Sequence, residues 1–252
     1  MKIIAVANQK GGVGKTATVA SLAAALSAAG QRVLVVDGDP QGNLSMALGA
    51  EAAPEALTTY DLLLQPDVEV THCQLTVPWG KVAVVPTDVR LAAAEVELAT
   101  AEDRHLRLKA KLHRKLPYDF VLLDTPPSLG FLTLNALAAA DGVLIPVQCS
   151  YLAMQGLRQL LETIEAVRAH GNPALRILGV LMTMYDPRTL HTQQVEELLR
   201  ENFGDLVFDI PIRRSVVFDY ATVAGEPVTV HRPESAGAEA YMQIAQEVLA
   251  RA

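Results

Sequence analysis

Residues 2–17 read KIIAVANQKGGVGKTA, and the parsing of that run decides the fold. An apolar segment, 2–8, ends on Asn8. Gly11, Gly12 and Gly14 follow, and Gly14-Lys15-Thr16 opens an alanine-rich helical stretch, 16–29, that Gly30 stops. A strand that passes through a glycine-rich turn into a helix is an anion site. Backbone N–H groups turn toward one ligand, and the helix N-terminus adds partial positive charge. The usual phosphate loop reads G-x-x-x-x-G-K-S/T, which would put its first glycine at position 9. Position 9 is Gln9, and an additional cation, Lys10, precedes the Gly11-Gly12 pair. In such a loop Lys15 reaches terminal phosphates and the Thr16 hydroxyl can ligate Mg2+.

Outward from the loop, short β-rich runs alternate with Ala/Leu-rich helical patterns. Strands are predicted at 2–8, 32–37, 81–86, 119–124, 142–148 and 176–184. Helices are predicted at 91–101, 104–115, 130–139, 153–169, 189–203 and 236–250, and segment 49–80 is the least regular. Continuous apolar strands separated by helices imply a parallel sheet covered on both faces. The expectation is an α/β fold: one doubly wound, mostly parallel sheet forming a single domain over 1–252.

Composition narrows the chemistry. Half of the 252 residues are hydrophobic, enough for a large core, yet no apolar run approaches the ~18 residues of a membrane helix. Cys73 and Cys149 form neither a C-x-x-C pair nor a dense framework, so two buried thiols in a reducing, cytoplasmic setting are expected. A net charge of −7 argues against a surface that binds nucleic acid everywhere, while leaving room for a local basic patch.

Two carboxylate clusters complete the loop. Asp37 and Asp39 stand directly after the second strand in LVVDGDPQGN, and Asp124 ends a strand in FVLLDTPPSLG. Acids at neighbouring strand ends can hold the water shell of a nucleotide-bound Mg2+. A dinucleotide reading competes, because Gly12-Val13-Gly14-Lys15-Thr16-Ala17 satisfies G-x-G-x-x-A and Asp37 lies where a ribose-binding acid would. Lysines on both flanks of the loop suit a dense terminal-phosphate charge better, and the dinucleotide reading leaves the other acids unexplained.

KGGVGKT (10–16), VDGDPQGN (36–43), LLDTPPSLG (122–130) and GVLMTMYDPRT (179–189) together resemble the ParA/Soj-type partition ATPases, in the deviant Walker A group that includes MinD. The resemblance runs from Lys2 to the C-terminal helix. It implies an ATPase that uses ATP and Mg2+ and forms a homodimer face to face around ATP. Lys10 would then cross the interface to the partner's phosphates. Lys10, Gly11, Gly12, Val13, Gly14, Lys15, Thr16 and Ala17 would hold the nucleotide, and Thr16, Asp37 and Asp124 the metal and its water shell. Lys10, Lys15 and Asp39 would act in hydrolysis, with Asp39 organising the attacking water. The family usually carries a second threonine at the position of Ala17, so weaker nucleotide binding is expected.

The resemblance further implies non-specific duplex DNA binding by the ATP dimer, a ParB-like activator protein and a nucleoid-associated location. Candidate DNA contacts are Arg188, Arg200, Arg213, Arg214 and Arg232. Aligned back from GEPV (225–228), Val217 falls where the family carries a second arginine, which leaves the DNA footprint open. A MinD-like membrane ATPase would end in a basic amphipathic helix. This chain instead ends EAYMQIAQEVLARA, with a core-like stripe at Tyr241, Ile244, Val248 and Leu249, so no membrane partner is expected. The run after Asp124, TPPSLGF (125–131), carries no cluster cysteine, and no helix-turn-helix domain is expected before Lys2. Another cargo-positioning ATPase, or an ATP-dependent metabolic ligase of the same superfamily, stays open as the alternative.

Overall fold

The computed structural model describes the backbone of residues 1–252 and the side chains of all but 151–155. The chain opens with β1 (Lys2–Val6), α1 (Lys15–Ala28) and β2 (Val33–Asp37). The short α2 (Asn43–Ala47), α3 (Thr59–Leu64) and α4 (Val70–Cys73) lead to β3 (Leu75–Thr76) and β4 (Val82–Val85). Then come α5 (Leu91–Leu98), α6 (Arg107–Leu112), β5 (Phe120–Asp124), α7 (Phe131–Ala139), β6 (Gly142–Gln148), α8 (Tyr151–His170) and β7 (Arg176–Thr183). The C-terminal part carries α9 (Leu190–Phe203), α10 (Val217–Val223), α11 (Val228–His231) and α12 (Ala236–Arg251).

Seven strands form one sheet in the order β3-β4-β2-β5-β1-β6-β7. All pairs are parallel except β3 with β4. The expected doubly wound α/β sheet is therefore present. The antiparallel edge strand β3 and helices α3 and α4 occupy the segment whose pattern was irregular. These elements are too short to generate a readable period, as are α2, α10 and α11.

Alternate side chains of each central strand enter different cores. Ile3, Ala5, Leu34 and Val36 pack on one face with α7, while Ile4, Val6, Val33 and Val35 pack on the other with α1 and α12. That two-sided burial explains why the strands read as uninterrupted apolar runs. Helix α1 is buried along almost its whole length. It lies between the sheet and α12, whose Tyr241, Ile244 and Val248 are buried, as the C-terminal stripe implied. Both cysteines are free and buried, as expected.

The connections leaving β1 and β5 run in opposite directions across the sheet, toward β2 and β6 respectively. Between two such diverging loops a crevice opens beyond the carboxyl ends of the strands. The phosphate loop and the acids of the sequence all lie at that edge.

Candidate nucleotide-binding site

The loop is built by backbone geometry. Gly12 has φ 70° and Gly14, the residue before α1, has φ 85°. A side chain at either position would be strained, so the two glycines let the chain turn its amides toward one point. Asn8 ties the start of the loop to the sheet, its Nδ2 donating to the Pro146 carbonyl and its Oδ1 accepting from the Lys10 amide. At the other end the Thr183 hydroxyl donates to the Val13 carbonyl at 2.8 Å.

The acids arrive on strand ends. Asp37 of β2 and Asp124 of β5 are register partners in the sheet, and Val6 of β1 pairs with Asp124 from the other side. The Thr16 hydroxyl donates to Asp124 Oδ2 at 2.8 Å, joining the loop to β5. Asp37 is fully buried, accepting from the amide and hydroxyl of Ser45 and from the Asp39 amide. Asp39 is held by a turn in which its Oδ1 accepts from the Gln41 amide. Between the acids, Gly38 is obligatory. A Cβ there would lie 2.5 Å from the Asp124 carbonyl oxygen, inside any allowed contact.

The charged groups of the cluster are buried and crowded together. Burial, and then the charge of Asp37, push the Asp124 carboxyl well above the usual carboxylate range. Burial also pushes Asp37 up to about 6, against the hydrogen bonds from Ser45 and Asp39. The Lys15 ammonium is lowered by burial while Asp124 and Asp39 oppose that shift. Thus Lys15 stands beside more negative charge than it balances. A divalent cation between Thr16 and the acids would relieve that excess. Among the described residues no three His, Cys, Asp or Glu side chains stand close enough to hold a metal unaided. Mg2+ asks for less, taking one or two protein oxygens and filling its octahedron with phosphate and water.

The cleft beside the loop encloses about 540 Å³. Gly11, Gly12, Gly14, Lys15, Thr16, Ala17 and Asp39 line one wall, so these seven predicted residues share one site. The opposite wall comprises Met184, Ile212, Arg213, Arg214, Phe218, Asp219 and Thr222. It hangs on the end of β7, where the Ile212 amide donates to Met182 and the Tyr185 amide to Ile212. Two predicted DNA contacts, Arg213 and Arg214, are therefore cleft residues. Arg188 forms a two-pronged pair with Asp186, Arg200 pairs with Glu196, and Arg232 lies 3.6 Å from Glu234. Lys10 is turned toward its own subunit, its Nζ donating to the Ser150 hydroxyl at 2.8 Å.

Sequence reading missed Gly38, Ser45, Thr183, Met184 and Phe218. A glycine between two acids was a readable signal for Gly38. Thr183 gave none, because its bond to Val13 joins residues 170 positions apart. Met184 is the one non-glycine residue with a left-handed φ, 50°, among the described residues, and no periodicity encodes such a conformation.

Comparison with known proteins agrees with this geometry. Residues 1–177 match a family model described as an AAA domain. The chain is 50% identical to the chromosome-partitioning ATPase Soj of Thermus thermophilus, covering 98% of this chain and 95% of that one. It is 43% identical to the chromosome partitioning protein ParA of Caulobacter vibrioides, covering 100% and 95%. A crystal structure of cobyrinic acid a,c-diamide synthase from Mycobacterium smegmatis with bound ADP and magnesium superposes with a TM-score of 0.86. Its identity is 39% over 99% of this chain and 94% of that chain. With the phosphate loop, the acids and the sheet order all in place, the chain belongs to the ParA/Soj family and is an ATPase of that family.

Proposed function

We propose that this chain is a partition ATPase that binds Mg-ATP in the cleft, closes into a homodimer around it and then binds duplex DNA without sequence preference. A ParB-like protein stimulates hydrolysis and releases the dimer, so that a chromosome, plasmid or other cargo is segregated or positioned over the nucleoid in the cytoplasm. One observation carries the reading: a single cleft joins the phosphate-binding wall to the exposed Arg213 and Arg214. A change at the γ-phosphate therefore lies within one cavity of the residues offered to DNA. Lys15 and the loop amides hold phosphates, Thr16 and Asp124 hold Mg2+, and Asp37 shapes the turn that presents Asp39 to water. Magnesium supplies charge neutralisation between the β- and γ-phosphates when bound.

Dimer formation is where Gly11 acts. A Cβ on Gly11 would meet nothing nearer than Pro127 Cβ at 3.8 Å, so the subunit itself has room for a Cβ there, and a branched side chain would obstruct a second subunit against the loop. Wild type should bind non-specific duplex with Mg-ATP and much less with Mg-ADP, with affinity falling steeply as salt rises. Gly11→Val should bind nucleotide, stay monomeric and lose DNA. A fluorescence titration at two salt concentrations tests this, and DNA binding by the Gly11→Val monomer equal to wild type would sink the coupling.

A second reading is favoured by the likeness to the cobyrinic acid a,c-diamide synthase: an ATP-dependent ligase. Ligases that draw ammonia from glutamine use a nucleophilic thiolate. Here both thiols are buried, with Cys73 pushed up to about 11 and Cys149 to about 12. That weighs toward partition. Nucleotide turnover that depends on an added carboxylic acid and ammonia, with no effect of DNA or activator, would favour the ligase instead.

A further inference from the structure

We propose that Thr183, at the carboxyl end of β7, is a positioning residue for ATP binding whose hydroxyl holds the phosphate loop in its binding form. The loop amides can face an anion only if the carbonyls between them are turned elsewhere and given partners. Val13 lies between the two left-handed glycines, Gly12 and Gly14, and is itself fully buried. Its carbonyl is the exposed weakness of the loop. Left unpartnered beside a polyanion it would repel the phosphates, and left unpartnered in a buried site it would favour a rearranged loop.

Thr183 supplies the partner. The residue is 2% exposed, its Oγ1 donates to the Val13 carbonyl at 2.8 Å, and its own carbonyl accepts from the amide of Cys149, directly after β6. The backbone of Thr183 is thus tied to β6 and the residue that follows it, and its hydroxyl is presented from the sheet and not from the loop. Its methyl also lies near the second glycine of the turn: a Cβ on Gly14 would stand 3.9 Å from Thr183 Cγ2. Directly after Thr183, the backbone enters the left-handed region at Met184, φ 50°. Hydrogen bonds on either side, from Ile212 to Met182 and from Tyr185 to Ile212, impose that conformation. Sparsely populated backbone of this kind persists only where its surroundings over-determine it. The end of β7 is therefore held on both sides of Met184, and the Thr183 hydroxyl joins it to Val13.

The test compares Thr183→Val, which keeps the shape and removes the hydroxyl, with Thr183→Ser, which keeps the hydroxyl. Each full-length variant is titrated with Mg-ATP by calorimetry, its steady-state hydrolysis is measured, and its thermal midpoint is recorded without nucleotide. Loss of a loop constraint acts on ground and transition states alike, so Thr183→Val should raise Kd and KM roughly tenfold with kcat within about twofold. Thr183→Ser should bind within about twofold of wild type. A merely structural threonine would lower the midpoint of the valine variant while the folded protein binds ATP as wild type does, and that result overturns the proposal. It is overturned equally if Thr183→Ser fails as badly as Thr183→Val. Should the valine variant not fold, Thr183→Ala against Thr183→Ser isolates the same hydroxyl without added bulk, and equal Kd values for that pair reject the role. If neither hydroxyl-free variant folds, Thr183 belongs to the fold and the proposal is rejected. Wild type titrated beside Lys15→Ala keeps this outcome separate from a failure of the nucleotide site itself.

Discussion

The two walls of the cleft are built on different principles. Around the phosphate loop Lys15, Asp39 and Asp124 are 7%, 8% and 2% exposed, each fixed by a strand end or a glycine turn. On the opposite wall Arg213, Arg214 and Asp219 are exposed, and support comes from a few backbone bonds to β7. Buried, pre-oriented charge is strong because no water must reorganise around it. Exposed arginines are weak singly, yet remain available to a partner and sensitive to salt. Under the proposed function, the buried wall holds the nucleotide and the exposed one faces a partner.

The largest expected effect falls on the loop wall. Lys15→Ala removes a buried cation from bound phosphates, and a lost charge-assisted contact costs about 1.5–3 kcal/mol. ATP affinity should drop at least ~10-fold by calorimetry. Unchanged affinity would mean that this wall is not the nucleotide site and would dissolve the contrast.

An effect of intermediate size sharpens the comparison through pH. Asp37 is raised by burial to about 6 from an ordinary 3.8, and Asp124 is raised as well. A carboxyl raised in the folded state contributes stability that is fully present below its unfolded pKa and lost as pH climbs through the folded one. For Asp37 that window is about pH 4 to 6, and for Asp124 it extends higher. Asp124→Asn, which removes the ionisation, should stabilise the nucleotide-free protein at pH 8 by on the order of 1–3 kcal/mol and flatten the pH dependence. The same variant should hydrolyse ATP poorly, because the Mg2+ shell loses an acceptor. Thermal melts from pH 5 to 8 check the first part, and a variant no more stable than wild type at pH 8 contradicts it.

The smallest effect belongs outside the cleft. Arg188 and Arg200 sit in exposed pairs with Asp186 and Glu196, and such pairs are worth about 0–1 kcal/mol. Arg200→Ala should leave ATP affinity unchanged and shift the melting midpoint only slightly. Its effect on DNA affinity should be well below that of the Arg213→Ala and Arg214→Ala double variant. If the ranking inverts, the DNA surface lies along α9 and not at the cleft.

The two walls also differ in how far they could be read in the sequence. The loop wall is local: Gly12 to Thr16 are consecutive, and Asp37, Asp39 and Asp124 each follow an apolar strand whose two-sided burial writes a continuous run. Strand order then brings Asp37 and Asp124 into register without any cue beyond the alternation of elements. The far wall is non-local. Ile212 to Arg214 reach the cleft only because β7 accepts them as a short added strand, with Tyr185 bridging Arg213. Helix α10 has seven residues, too few to show a helical period among its loops. The positions of Arg213 and Arg214 in the cleft, and the grip of Thr183 on Val13, are products of tertiary contact.

The most direct test of the central claim is whether the γ-phosphate assembles the dimer. Asp39→Ala should keep the phosphate cradle and lose the group that orients water, so the ATP-bound form should accumulate. Sedimentation velocity of this variant should show a dimer with Mg-ATP and a monomer with Mg-ADP. A monomer with both nucleotides, or a dimer that forms equally with ADP, would contradict a site in which ATP joins two subunits.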